Sequence, residues 1–103
     1  LVQVNGVKAA KSGSKVKVSW KNVNYETGYQ ISRSTKKTGT NIVSTFAGVN
    51  TTNKVLNATK GKTYFYKVRS YVTVNGTKIY GDFSSIQKVI TMDDLFEATS
   101  EWN

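Results

Sequence analysis

The chain has 103 residues and contains no cysteine, no histidine and no proline. Without cysteine there is no disulfide, thiol nucleophile or cysteine-held metal, so any fold must rest on its apolar core, and cysteine usage says nothing of the redox compartment. Without histidine, the commonest general base and the commonest metal ligand are both missing. These absences weigh against an enzyme and predict no catalytic residue, no metal site and no cofactor. Nor does any apolar run approach the ~18 residues that a membrane-spanning helix needs, so no membrane insertion is expected. With proline absent, turns must be made by Gly and Asn.

Acidic residues are scarce over most of the chain. Up to residue 92 there are 15 Lys and Arg but only Glu26 and Asp82, a net charge of +13. The last eleven residues hold Asp93, Asp94, Glu97 and Glu101 and no base, a net charge of −4. A paired-carboxylate hydrolase needs two acids at one cleft, whereas Glu26 falls in a polar loop and Asp82 in an interrupted strand. The terminal acids lack the alternating spacing and central Gly of a calcium loop. A basic body attracts polyanions, but its bases are spread over every segment, so no specific nucleic-acid recognition is expected.

What the chain does have is alternation. Residues 61–91 read as one long β-hairpin. From Tyr64 to Val74, a period of two separates Tyr64, Tyr66, Val68, Ser70, Val72 and Val74 from Phe65, Lys67, Arg69, Tyr71 and Thr73. The first set is uncharged and faces the core; the second carries the charge and faces outward. Asn75-Gly76 between the two arms is a strong hairpin signal, because both residues accept positive φ. Gly81-Asp82 interrupts the returning strand with a bulge or kink.

Earlier segments follow the same logic. Residues 2–9 are expected to form a first edge strand, and KVKVSW places Val16, Val18 and Trp20 on one face. GYQISRS turns Tyr29 and Ile31 inward and Gln30 and Ser32 outward, and residues 41–46 and 54–58 supply two further strands. The sequons at Asn50, Asn57 and Asn75 read as turn residues. Short strands at this spacing, with no helical periodicity, imply an all-β sandwich. The pattern ends at Thr91. Beyond it, residues 92–103 read as an acidic tail in which Leu95, Thr99 and Trp102 fall at helical spacing: a linker or the start of another domain.

The motifs VSW, GYQISRS and KGKTYFYKVRSY, in that order, resemble a bacterial fibronectin type III domain of the kind repeated in secreted Gram-positive surface proteins and polysaccharide-degrading enzymes. The resemblance covers residues 2–91 and implies a seven-stranded immunoglobulin-like β-sandwich. It makes Trp20 the core Trp of the second strand and Tyr64 the tyrosine corner, whose hydroxyl bonds to upstream backbone. The family usually has Leu six residues before that Tyr. Here Ala58 holds the place, and Leu56 is expected to fill the space. Tyr29, Ile31, Tyr66 and Val68 complete the expected core. The hairpin tip is Val-Asn-Gly-Thr, so the family's Arg-Gly-Asp adhesion is not carried over.

The resemblance implies a noncatalytic spacer or accessory module, expected to be monomeric, within an extracellular, secreted or cell-surface multidomain protein. The start at Leu1-Val2, with no initiator Met or signal segment, suggests a module taken from a longer chain. Its partners would be neighbouring domains and, in the alternative reading, a polysaccharide or anionic cell-wall polymer. The candidate binding face is Phe65, Lys67, Arg69 and Tyr71, two aromatics around two cations on the outward side of the hairpin.

Overall fold

The computed structural model describes residues 2–91. The expected helix and linker in residues 92–103 lie outside the described residues. Eight strand segments follow in order: β1 (Lys8–Ser12), β2 (Lys15–Ser19), β3 (Gly28–Ser34), β4 (Val43–Gly48), β5 (Asn53–Asn57), β6 (Thr63–Val74), β7 (Thr77–Tyr80) and β8 (Gln87–Ile90). They form two antiparallel sheets, one in the order β1-β2-β5 and one in the order β4-β3-β6-β7, with β8 also paired to β6. β7 and β8 are the halves of one interrupted strand, which makes this the expected seven-stranded sandwich.

Local chemistry sets the turns. Gly13 (φ +60°) opens the two-residue loop between β1 and β2, where Ser12 pairs with Lys15. Asn75 (φ +51°) and Gly76 (φ +78°) both take positive φ between Val74 and Thr77, the combination that a tight hairpin with native twist requires.

The core lies between the sheets. Val16, Val18 and Trp20 from one side meet Tyr29, Ile31, Tyr64, Tyr66 and Val68 from the other, and all are buried. The Trp20 and Tyr29 rings stand 5.2 Å apart in a tilted arrangement. Leu56 and Ala58 are partly buried against this core, so both residues contribute at the position where the resemblance expects one Leu.

Three expectations are corrected. The first strand begins at Lys8 and not at residue 2, because Val4 and Val7 are buried in a segment that includes Gly6 at φ +66°. On β6, Val72 is only half-buried and Val74 is 48 % exposed, because this end of the strand pairs with β7 and runs past the core. Asn57 lies within β5 and not in a turn.

The ends of the body are tied down at opposite ends of the sandwich. Lys21 N–H donates to the Asn5 carbonyl (3.0 Å), beyond the Ser19 end of β2. Near the Lys15 end, Ala58 N–H donates to Ser14 (2.9 Å), and the Thr91 hydroxyl donates to the Thr59 carbonyl (2.6 Å) while accepting Lys62 N–H (3.0 Å). Thr91 is 1 % exposed.

Candidate functional site

The outward face of the five-stranded sheet is built by β3, β4 and β6 and covered by the segment that joins β7 to β8. Tyr71 pairs with Tyr80, and Tyr66 with Gln87, so five steps along β6 are matched by seven on the other side. Two extra residues therefore bulge out in residues 81–86, the interruption expected at Gly81-Asp82. Gly81 N–H donates to Ser70 (2.9 Å) and Ser84 N–H to Val68 (2.8 Å), which keeps the bulge on the sheet and lays Phe83 over the outward face.

Phe65, Lys67, Arg69 and Tyr71 do share this face, but each is half-buried and they do not form one open row. The Arg69 guanidinium is held between the rings of Tyr80 (3.6 Å) and Phe83 (4.3 Å), and its Nε donates to Gln30 Oε1 (2.6 Å). Gln30 in turn donates to the Ser44 hydroxyl (3.0 Å). Tyr71 meets the Phe46 and Tyr80 rings, each at 6.0 Å, and Lys78 lies 5.3 Å from its centroid. The Lys67 ammonium sits 4.1 Å from the Phe83 centroid. Cations and rings thus alternate along the face, and Arg69 Nε and the Gln30 amide are engaged within the protein. This explains why Gln30 is buried although it points away from the core; Ser32, expected to face outward, is buried as well, between Ser44 and Lys67 on the neighbouring strands.

The lower half of the same face is open. Phe65 and Lys67 line a pocket of about 90 Å³ with Ser32, Lys37, Ile42 and Ile86, and the space continues along Phe65 and Ile86 to Lys88. Lys88 pairs with Phe65 across β6 and β8, and Ser32 with Lys67 across β3 and β6. The Ser34 hydroxyl donates to the Lys36 carbonyl (2.8 Å), and Ser32, 5 % exposed, lines the pocket. Lys37, Ile86 and Lys88 were not legible as site residues, because the loop at residues 35–42 and the bulge bring them together across long sequence gaps. The only local hint was the Gly81-Asp82 interruption flanked by Tyr80 and Phe83.

The remaining singled-out residues serve the fold. Tyr64 hydroxyl accepts Thr59 N–H (3.0 Å), and hydrogen bonding to Thr59, through its side chain first and its backbone second, lowers the Tyr64 pKa. Tyr29 hydroxyl accepts Val23 N–H (2.6 Å), while burial raises its pKa. Tyr66 is fully buried with no partner for its hydroxyl, and burial pushes its pKa up to about 12. Glu26, 6 % exposed, accepts the Asn50 N–H (3.1 Å) and so closes a loop. Among the described residues, no group of three acids gathers as metal ligands.

This arrangement is that of a fibronectin type III β-sandwich, and the chain has that fold. The C. thermocellum Fn3-like protein matches it at 22 % identity, covering 87 % of this chain and 92 % of that one with a TM-score of 0.66. The FN1-FN3 domains of chicken CNTN1 match at 23 % identity and TM-score 0.72, over 88 % of this chain and 30 % of that one. The Clostridium perfringens spore cortex lytic enzyme SleM matches at 21 % identity and TM-score 0.55, with 89 % and 28 % covered. This chain thus spans under a third of the two longer structures. No protein-family profile matches the sequence, and no curated protein does.

Proposed function

We propose that the chain is a noncatalytic module that spaces or assists a neighbouring domain in a secreted or cell-surface multidomain bacterial protein, of a carbohydrate-active or wall-associated kind. The observation that carries this reading is the pass-through geometry. The polypeptide enters beside Lys21 and leaves at Thr91, at opposite ends of the sandwich, and both ends are bonded to the body. Such a body holds its neighbours apart along one axis. The likeness to part of a spore cortex lytic enzyme supports the carbohydrate-active setting. The monomer is the working unit, and the neighbouring domains are the first partners.

The isolated chain is expected to unfold in a single cooperative transition and to release no reducing ends from a panel of soluble and insoluble polysaccharides, measured by calorimetry and a reducing-sugar assay. Turnover of any polysaccharide, abolished by Asp82→Asn or Glu26→Gln, would contradict the reading. A second reading, a module that holds an anionic polymer, is favoured by the open lysine-lined pocket.

A further inference from the structure

We infer that the pocket lined by Lys37 and Lys67, with its continuation to Lys88, binds an acidic glycan, a polymer whose pyranose rings carry carboxylates. This deepens the second reading above, and the spacer role stands whether or not the pocket is occupied.

Lysines from three separate segments line two adjoining spaces: Lys37 of the 35–42 loop borders both, Lys67 of β6 the first and Lys88 of β8 the second, and no acid lines either. Two acids occur among the described residues: Glu26 is buried against Asn50, and Asp82 lies in the bulge. Like charges gathered without a counterion repel one another, and an incoming anion relieves that repulsion while gaining charge-assisted hydrogen bonds. Diffuse charge alone would serve any polyanion, but the lining is more particular. Phe65 and Ile86 supply an apolar wall, and Ser32 adds a hydroxyl to the lining.

A carboxylated pyranose matches all three features. Its charge meets the lysines, its carbon face lies on Phe65, and a ring hydroxyl reaches Ser32. A volume of about 90 Å³ admits the carboxylate and part of one ring, so the rest of the polymer lies along the continuation towards Lys88. The upper half of the face is no competitor, since Arg69 is already closed between two rings and Gln30.

The test is a nitrogen-15 NMR titration of the full chain with short oligogalacturonates at physiological salt. Amide shifts are expected at Ser32, Phe65, Lys67, Ile86 and Lys88. The double variant Lys67→Ala/Lys88→Ala should weaken binding by about tenfold while its spectrum stays folded. Lys8→Ala/Lys17→Ala, on the outer face of the other sheet, should leave affinity unchanged. No binding overturns the assignment. So does an equal loss in both double variants, which would make the binding diffuse charge. Equal binding of fully methyl-esterified oligomers removes the carboxylate from the proposal, and binding of poly(glycerol phosphate) without galacturonate removes the sugar ring. None of these results bears on the spacer role, which the hydrolysis and unfolding measurements test separately.

Discussion

Tyr64 and Tyr66 stand two residues apart on the inward face of β6, yet their hydroxyls meet opposite fates. The Tyr64 hydroxyl satisfies the Thr59 N–H, whereas the Tyr66 hydroxyl is buried and unpaired. Removing the first leaves a part-buried donor without a partner, at a cost of about 1–3 kcal/mol; removing the second takes away an unsatisfied group and costs little or nothing. Tyr64→Phe should therefore be clearly destabilised in urea unfolding, and Tyr66→Phe should match or exceed the parent. The pH dependence follows the same asymmetry. The folded-state pKa of Tyr66 is raised from 10.0 to about 12, so between these values the unfolded chain has lost a proton that the folded chain still holds. This contribution is complete below pH ~10 and is lost as pH rises towards ~12. The parent should lose stability relative to Tyr66→Phe across that interval, and parallel curves would contradict the buried, neutral phenol.

At the scale of the element, β3 depends on how closely β4 and β6 approach Gly28. A Cβ placed there would lie 2.6 Å from the Ala47 carbonyl oxygen and 2.7 Å from the Tyr71 hydroxyl. Gly28→Ala should therefore cost on the order of 1–3 kcal/mol in chemical unfolding, because backbone and a ring packed against Phe46 and Tyr80 must both shift. The element was also the scale at which the sequence was most readable. From Tyr64 to Ser70 each inward residue is buried, because period-two alternation and one buried face leave a single register. Asn75-Gly76 fixed the turn for the same kind of local reason. The cover on the outward face was not readable. It depends on a two-residue shift in pairing between β7 and β8, which no single strand encodes, and this shift places Phe83 over Lys67 and Arg69. Four residues that alternate correctly in sequence thus divide between a closed ladder and an open pocket.

At the scale of the whole molecule, the sandwich keeps its core between two sheets and its engaged aromatic residues on one outer face, with the basic charge spread around both. That distribution is the one on which the proposed spacer and polymer-binding roles rest. The central claim is the division of the outer face: Arg69 belongs to the fold, and Lys67 belongs to the surface. Equilibrium urea unfolding of Arg69→Ala and Lys67→Ala, side by side, tests it most directly. Arg69→Ala removes a cation held between two rings and leaves Gln30 Oε1 without its donor, and should cost about 2 kcal/mol or more. Lys67→Ala removes a single cation–ring contact, with Phe83, and no side-chain hydrogen bond to a buried partner, and should cost less than about 1 kcal/mol. Equal losses, or a larger loss at Lys67, would contradict the division.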